Sequence, residues 1–497
     1  MKLLLINFLK RNHLLLNVIG IYLLTSIIIF PLFRYVLNPD GISYINIAKK
    51  YLSGNFQLAV NGYWSPLFSW ILVPLLALKI DALLATKILS VIIGIFLLIG
   101  VNRLLISQKI RDIWRAWALF TIIPLLLMFT FIVITSDLLL CTILIYYLNS
   151  LLDKNFTKYK DQAVTVGWYG ALAFLAKSYT LIFFLVHFTV SVYLFYRRYK
   201  LKTKKRFILS QWLMAVFIFI VISGIWSVII SKKYQRLTFS MAAGFNQQLT
   251  AKNVNIYPNN ITGLIEPADR LSTSYWNDPS NIQLTKQSNM LLGEKIIYRL
   301  KLVYRNFVKT IVIYNSLSIF AIAIILISLF VFYRRIYIRK HIILLMVLLY
   351  PSWYWPILIE ERYLWMVFVL VIFLTAALLD YWQLHNKLSK IIIFIIALIA
   401  LISFQYLPWE TRHMKRSGNE LILLSDKIKR GDIKQNRVAS IGNYSDSLSL
   451  AYFSNQIYLG ELGSNLSSEQ LNKLLAKFTI DELWVWSGDR LTIYQVK

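Results

Sequence analysis

The chain has 497 residues, of which 58% are hydrophobic and 15% charged, and its mean hydropathy of +0.60 excludes an ordinary soluble domain. The net charge of +30 comes from Lys and Arg in short clusters between apolar segments, which favours an integral membrane protein over a protein that binds nucleic acid. A single cysteine, Cys141, excludes an intramolecular disulfide.

The first apolar segment predicts a transmembrane helix. Residues 13–33 carry no formal charge over the roughly 20 residues that a helix needs to cross a bilayer. A secretory signal peptide would have a shorter apolar core and a cleavage site of small residues, and neither pattern is seen. We therefore expect a helix that is retained in the protein.

Further apolar segments follow, which brings the prediction to about eleven transmembrane helices. They lie at about 83–102, 116–134, 138–152, 163–176, 180–196, 207–231, 309–332, 341–358, 363–380 and 390–408. The segment 66–80 is short and contains two prolines, so we expect it to be half-inserted. If the N-terminus is cytoplasmic, every clustered basic loop lies on one side, as the positive-inside rule requires. The outer face then receives the first outer loop (34–82), the long outer loop (232–308) and the chain after about 409.

The C-terminal residues differ in composition and predict a small extracytoplasmic α/β domain. Residues 437–442, 456–462, 482–488 and 490–496 have the pattern of short strands. Residues 467–478 predict an amphipathic helix, because Ser467 and Gln470 have the spacing of a capping box. The predicted division is a membrane domain at 1–408 and an α/β domain at 409–497.

Asp40 is an isolated acid directly after the first span, in the stretch "NPDGIS". It is consistent with simple turn chemistry. The residues that follow also form a rough helical stripe opposed by Lys49 and Lys50, which predicts an interfacial helix with its basic residues toward lipid headgroups. A carboxylate held there can accept a proton from the attacking group in a transfer reaction.

Other ionisable residues fall on the predicted outer face. A leaving phosphate needs nearby donors, and Lys177, Arg362 and Tyr363 are candidates. Lys177 could equally snorkel to the interface, and Asp137 could be a helix N-cap. The acids Glu266, Asp269 and Asp278 of the long outer loop are expected to be solvated. Tyr275 and Trp276 beside them suit either sugar stacking or an aromatic belt.

The order of several blocks resembles the GT-C superfamily of membrane glycosyltransferases. The blocks are "PDGISYINIAKKYLSGNFQ", "GYWSPLFSWILVPLLAL", "ATKILSVIIGI", "TSDLLLCTILIYYL", "GALAFLAKSYTLIFF" and "ERYLWMVFVLVIFL". The superfamily includes dolichyl-phosphate-mannose protein mannosyltransferases and bacterial aminoarabinose transferases. The resemblance implies an all-α polytopic membrane protein of GT-C type, a polyprenyl-phosphate sugar donor and inversion at the anomeric carbon.

The same resemblance implies roles for particular residues. Asp40 matches a first-loop acid that serves as general base or acceptor-site carboxylate, and Asp137 a second acid that shapes the site. Lys177 matches a basic residue of the site, and Arg362 with Tyr363 a pair near the donor phosphate. Residues predicted to contact the acceptor or the interface are Tyr44, Lys49, Lys50, Tyr63 and Trp64.

One block departs from the aminoarabinose transferases. Before its proline, "GYWSPLF" has Trp64 and Ser65 where that branch has an acid and a lysine, which argues against the metal site and the substrate of that branch. The histidines are scattered along the chain, and we predict no metal and no cofactor.

The predicted protein is thus a multi-pass glycosyltransferase of a bacterial inner (plasma) membrane with its active site toward the periplasm or the exterior. Its predicted partners are membrane lipid, a polyprenyl-phosphate sugar and a glycan, lipid or protein acceptor, with no nucleic acid. Two alternatives remain open at this point. A polytopic transporter or lipid-linked-sugar flippase has similar hydropathy, and a non-catalytic assembly subunit could keep the same scaffold.

Overall fold

The computed structural model describes residues 2–249, 263–282, 292–333, 338–385, 388–410, 417–431 and 435–496, and most of them are helical. The helices of the first half are α1 (Lys2–Phe33), α2 (Pro39–Leu52), α3 (Phe56–Ala59), α4 (Leu67–Ala77), α5 (Ala82–Ser107), α6 (Asp112–Phe131), α7 (Asp137–Leu152), α8 (Asp161–Ala176), α9 (Thr180–Arg198), α10 (Lys202–Tyr234) and α11 (Ala242–Leu249). Those of the second half are α12 (Leu292–Leu317), α13 (Ala321–Tyr333), α14 (Ile338–Ser352), α15 (Trp365–Leu384), α16 (Lys390–Ser403), α17 (Tyr406–Glu410), α18 (Ser417–Gly431), α19 (Tyr444–Ser454) and α20 (Ser468–Lys477).

The chain is a multi-pass membrane protein. Among the described residues, seven helical segments are long and apolar enough to cross a bilayer: Asn12–Phe33, Ala82–Ser107, Asp112–Phe131, Thr180–Arg198, Lys202–Tyr234, Glu361–Leu384 and Lys390–Pro408. Helices α12 and α13 count as an eighth if they form one span bent by 99°. The predicted count of about eleven is not confirmed. Helices α7, α8 and α14 have 16, 16 and 15 residues, which is short of the roughly 20 needed.

Helix α15 is the centre of the membrane bundle. Its apolar stretch is buried along the whole length, against α6, α7, α13, α14 and α16. Helices α1, α10 and α16 lie outside and expose apolar side chains such as Ile27, Val228 and Ile391. A helix that is apolar all round suits a bundle centre, and exposed apolar faces suit contact with lipid.

The first outer loop contains the predicted helix, but not in the predicted setting. The helix α2 begins at Pro39, which is favourable at a first helical position because it lacks an N–H. Most of α2 is buried, and this includes Lys50, whereas Lys49 is exposed and its predicted placement toward headgroups stays a prediction. Lys50 is 2% exposed, and Lys49 lies over the ring of Tyr452 in the C-terminal region. The helix α4 has 11 residues, about half of a span, as expected for the segment 66–80.

The C-terminal region contains the four predicted strands, β1 (Arg437–Ile441), β2 (Ile457–Leu462), β3 (Glu482–Ser487) and β4 (Arg490–Gln495). Their order is β2-β1-β3-β4; β1 is parallel to β2 and β3, and β3 and β4 form an antiparallel hairpin. The predicted capping box is confirmed, because Ser467 and Gln470 exchange hydrogen bonds at the start of α20. The boundary at 409 remains a prediction.

Residues 263–282, here called the strap, join the C-terminal sheet to α2. Gly263 N and Ile265 N donate to the Glu461 and Leu459 carbonyls of β2 at 2.7 and 2.9 Å. Toward the membrane, Asn46 of α2 donates to the Thr273 hydroxyl at 2.8 Å. The start of the strap therefore extends the sheet beside β2, and a later part of the strap packs on α2.

The expectation that the strap acids are solvated is wrong for two of them. Asp269 accepts from Lys50 Nζ at 2.6 Å, and Asp278 accepts from the Tyr234 hydroxyl at 2.6 Å. Glu266 is about half exposed and pairs with Arg437. Loop composition predicts solvation, whereas these acids meet partners from distant parts of the chain.

Candidate active site

Asp40 lies in the first turn of α2 and is 6% exposed. Trp276 Nε1 of the strap donates to its Oδ1 at 3.0 Å, and the Arg362 guanidinium binds its Oδ2. Both partners are obligate donors, as an ionised carboxylate requires. The neighbouring Asn38 also makes a long-range contact, because its Oδ1 accepts from Ile134 N at 2.8 Å. Asp40 is thus part of a long-range site rather than of a simple turn.

Arg362 joins Asp40 to a second acid. It lies in a 3₁₀ turn, Glu361–Leu364, directly before α15. While Nη1 binds Asp40, Nε donates to Glu360 Oε2 at 2.8 Å. One guanidinium therefore binds two carboxylates at the N-terminal end of the central helix α15.

A second buried pair consists of Asp137 and Lys177. Asp137 begins α7 and is 4% exposed; its Oδ2 accepts from Thr135 Oγ1 at 2.7 Å, and its Oδ1 is bound by Lys177 Nζ. Lys177 ends α8, and its Nζ lies 3.6 Å from the centroid of the Tyr363 ring. Burial lowers the pKa of the Lys177 amine, although Asp137 acts in the opposite direction. The side chain is held inside the protein and does not snorkel.

Aromatic rings surround these pairs. Tyr63, Trp64 and Trp276 pack edge-to-face or tilted, with centroids 4.6–5.7 Å apart. The Tyr44 hydroxyl donates to Ser136 Oγ at 2.9 Å, beside Asp137. Tyr354 stacks on Tyr363 with a centroid distance of 4.8 Å. The rings restrict the positions that the charged groups can take.

A cavity of about 500 Å³ opens onto both ion pairs. Of the ten residues predicted for the site, eight line it: Asp40, Tyr44, Tyr63, Trp64, Asp137, Lys177, Arg362 and Tyr363. Its remaining lining is largely apolar and includes Leu181, Ile182, Leu237, Phe239, Ile357 and Leu358. The cavity combines a charged end with an apolar wall.

Lys49 and Lys50 are not among the residues that line the cavity, and their role at the acceptor or the interface stays a prediction. Lys50 donates to Asp269 and to Ser272 Oγ, at 2.6 and 2.8 Å. Burial lowers the pKa of its amine. The helical stripe was correctly recognised, but Lys50 faces the strap, while the exposed Lys49 lies over the ring of Tyr452.

Three residues of the site have roles that the sequence did not indicate. Trp276 binds Asp40 through its indole N–H, a contact that neither sugar stacking nor an aromatic belt predicts. Glu360 accepts a hydrogen bond from Arg362, which also binds Asp40. The ring of Tyr354 stacks on the rings of both Tyr179 and Tyr363. The acidic pair beside Arg362 was visible as "EER", whereas nothing local links Trp276 to a residue 236 positions earlier.

The structure offers no ready metal site in its described part, where no group of three or more His, Cys, Asp or Glu side chains is placed to hold an ion. Asp40 and Asp137 each already have a cationic partner. The absence of a metal requirement remains a prediction.

Comparison with solved structures identifies the fold. The apo oligosaccharyltransferase of Archaeoglobus fulgidus matches 95% of this chain and 69% of its own length, with a TM-score of 0.59 and 11% identity. The same organism's oligosaccharyltransferase AglB, in complex with an inhibitory peptide and a dolichol-phosphate, matches 96% of this chain and 70% of its own length, with a TM-score of 0.54 and 11% identity. ArnT from Cupriavidus metallidurans, bound to undecaprenyl phosphate, matches 92% of this chain and 87% of its own length, with a TM-score of 0.54 and 13% identity. No protein-family model and no curated protein matches the sequence.

The fold of the protein follows from these matches and from the helical bundle. The chain shares the fold of these solved oligosaccharyltransferase and ArnT structures, and its described residues form a helical membrane bundle followed by a small C-terminal sheet. This confirms the resemblance noted in the sequence, at the level of the fold.

Proposed function

We propose that the chain is a membrane glycosyltransferase that moves a sugar from a polyprenyl-phosphate donor to an acceptor hydroxyl or amine. The observation that carries the proposal is the cavity itself. It brings together two buried carboxylates, each bound by one cation, under an apolar wall that suits an isoprenoid chain. Solved proteins of this fold have been captured with dolichol-phosphate and with undecaprenyl phosphate, which supports the donor class.

In the proposed reaction the acceptor attacks the anomeric carbon and its proton passes to Asp40. The bond between that carbon and the phosphate oxygen breaks, so the electron pair leaves with polyprenyl phosphate and the anomeric carbon inverts. Asp40 has two partners in the free protein, and a carboxylate has about four lone-pair sites. A proton can therefore be accepted while Trp276 still orients the group.

Lys177, Arg362 and Tyr363 are proposed to bind the departing phosphate. Two cations and the Tyr363 hydroxyl lie at the charged end of the cavity, where developing negative charge would be stabilised. The phosphate would compete with Asp40 and Asp137 for these donors, so substrate binding loosens both ion pairs. Asp137 would then position Lys177 and help to shape the site.

The test is sugar transfer by the purified protein in bilayers. Polyprenyl-phosphate sugars radiolabelled in the sugar are supplied one at a time, with a bacterial lipid and glycan extract as acceptor, and released polyprenyl phosphate is measured. The Asp40→Asn variant keeps the shape and removes the base, so we expect transfer to fall by about 10²–10⁴-fold, the usual contribution of general base catalysis. Wild-type transfer by this variant would exclude Asp40 as the base.

The same assay separates the proposal from transport or flipping of a lipid-linked sugar. A flippase moves the donor across the bilayer without breaking the bond between sugar and phosphate. Labelled donor that becomes accessible on the opposite leaflet, with no polyprenyl phosphate released from any donor, would favour the transporter. No turnover and no movement would favour the assembly subunit.

The outer placement of the site is also proposed, and an exposed residue of the cavity tests it. Leu237 is 92% exposed on the cavity rim. A Leu237→Cys substitution in a Cys141→Ser background should react with an impermeant thiol reagent added to intact cells. Labelling only after the inner membrane is opened would place the site in the cytoplasm.

A further inference from the structure

Helix α12 has two opposed faces with different surroundings. Leu302, Asn306 and Thr310 recur every four residues and are 5%, 2% and 3% exposed. On the opposite side is a stripe of apolar residues that are 40–70% exposed: Leu300, Tyr304, Val308 and Val312. Patches of this kind mark an interaction surface when they are contiguous. One face packs on the protein, and the other is available to a partner.

A basic row runs beside the exposed apolar stripe. Lys301, Arg305 and Lys309 also recur every four residues. Since a helix turns by about 100° per residue, this row lies a quarter-turn from the stripe that begins at Leu300. The pattern is typical of helices that lie in the membrane interface, with apolar residues among the acyl chains and basic residues at the headgroups.

The direction of α12 agrees with that setting. The helix α13 packs beside the central helix α15, and α12 meets α13 at 99°. The bend of 99° means that α12 and α13 do not form one straight span. If α12 crossed the bilayer instead, Lys301, Arg305 and Lys309 would lie in hydrocarbon, which is costly for each charge.

The buried face of α12 holds part of the cavity wall. Asn306 Nδ2 donates to the Trp355 carbonyl at 2.8 Å, and the Trp355 indole donates to Thr310 Oγ1 at 2.9 Å. Trp355 lies among the residues 353–358, several of which line the cavity. Because α12 is hydrogen-bonded to Trp355, the depth of α12 in the membrane affects the position of this part of the cavity wall.

We propose that α12 is an in-plane helix that docks on an anionic bilayer surface. Its stripe of Leu300, Tyr304, Val308 and Val312 enters the acyl-chain boundary, and Lys301, Arg305 and Lys309 bind phosphates of anionic phospholipids. The occupant is the lipid because the apolar stripe and the parallel basic row match the two layers of a membrane interface. The inference does not depend on glycosyl transfer.

The depth of α12 is measured with a fluorescent label on the full chain in bilayers of phosphatidylcholine and phosphatidylglycerol. Single cysteines are placed at Tyr304 in a Cys141→Ser background, with Glu469 on α20 as the aqueous reference and Ile220 near the middle of α10 as the deep reference. Both references are exposed in the structure. The label at 304 should be protected from iodide and quenched best by lipids with a nitroxide near the headgroup.

Three results would overturn the proposal. Iodide quenching at 304 equal to that at 469 would place α12 in water. Quenching at 304 by deep lipid quenchers as strong as that at 220 would make α12 part of a membrane crossing. Protection from both kinds of quencher would show that protein covers the stripe.

The basic row is tested by the same label and a change of lipid. Bromine is placed on the acyl chains of either phosphatidylglycerol or phosphatidylcholine at a fixed overall composition, so the two quenching values report local lipid enrichment. One Lys or Arg near an anionic surface changes affinity about fivefold. We expect phosphatidylglycerol to quench more, by a factor that falls at high salt.

A charge-matched pair of variants assigns the enrichment to α12. The variant with Lys301→Gln, Arg305→Gln and Lys309→Gln should remove the preference for phosphatidylglycerol at position 304. The control, with Lys202→Gln, Lys204→Gln and Arg206→Gln at the start of α10, should keep it. Equal quenching by both lipids in the wild type, or an equal loss in both variants, contradicts the proposed headgroup contact.

Discussion

The bond from Trp276 to Asp40 gives a sharp test of how the site is built. Trp276→Phe keeps an aromatic ring in the cluster with Tyr63 and Trp64 but removes the N–H that donates to Asp40 Oδ1 at 3.0 Å. Arg362 remains on Oδ2, so the carboxylate stays paired but loses the contact that fixes its plane. We expect Asp40 to rotate within a site that is otherwise intact.

The size of the effect follows from the charge and burial of the acceptor. Asp40 is 6% exposed, so water cannot readily replace the lost donor. A hydrogen bond to a charged group contributes about 1.5–3 kcal/mol. If that contribution is lost in the transition state, the rate falls by about 10- to 150-fold, since each 1.36 kcal/mol is a factor of about ten.

The assay is the initial rate of sugar transfer over a range of donor concentrations. We expect kcat to fall while KM for the donor changes little, because Trp276 contacts the base and not the proposed phosphate-binding residues. Trp486→Phe is the matched control: its indole donates to Ser447 Oγ at 2.8 Å in the C-terminal region. Wild-type kcat in Trp276→Phe would refute the positioning role, and an equal loss in Trp486→Phe would show a general effect on folding.

Three further predictions concern pH and stability. Burial lowers the pKa of Lys177 below 10.5, so the amine loses its charge before a free lysine would; activity should fall on the alkaline side below pH 10.5, and Lys177→Arg, which stays charged, should move that fall upward. If activity falls at the same alkaline pH in the wild type and in Lys177→Arg, Lys177 is not the titrating group. Lys50→Met leaves the carboxylate of Asp269 without its cation and should cost about 3–5 kcal/mol in thermal or denaturant unfolding; adding Asp269→Asn should recover part of this, and equal stability of the single and double variants would contradict the coupling. Gly460→Ala should detach the strap and lower the melting temperature, because Gly460 has a φ of +139° and a Cβ there would lie 2.5 Å from the Gly263 carbonyl oxygen, whereas Gly463→Ala has open space and serves as the control. An unchanged melting temperature in Gly460→Ala would show that the strap tolerates the shift.

The sequence predicted the features that depend on local pattern. Long uncharged segments identify membrane helices because the hydrocarbon core rejects charge over a fixed thickness. Alternating and capped segments identified all four strands and α20. Isolated acids and bases at span ends were candidates for the site because they lay together on the predicted outer face, although turn, snorkelling and capping roles stayed open for them.

The number of spans was harder to predict, for a physical reason. Hydropathy counts apolar residues, and α7, α8 and α14 are apolar yet short. Buried helices of a bundle and lipid-crossing helices share this composition, so length in the folded chain separates them. The break between α12 and α13 likewise divides a segment that is continuous in hydropathy.

The sequence by itself determined that this is a membrane protein, where its helices and C-terminal strands lie, and which charged residues were candidates for the site. Only the tertiary structure decided the partners of those residues. Arg362 meets Asp40 across 322 positions and Trp276 meets it across 236, whereas Lys50 turns away from lipid toward Asp269. Side-chain periodicity specifies one face of one helix; which group meets that face depends on how distant helices and the strap pack together.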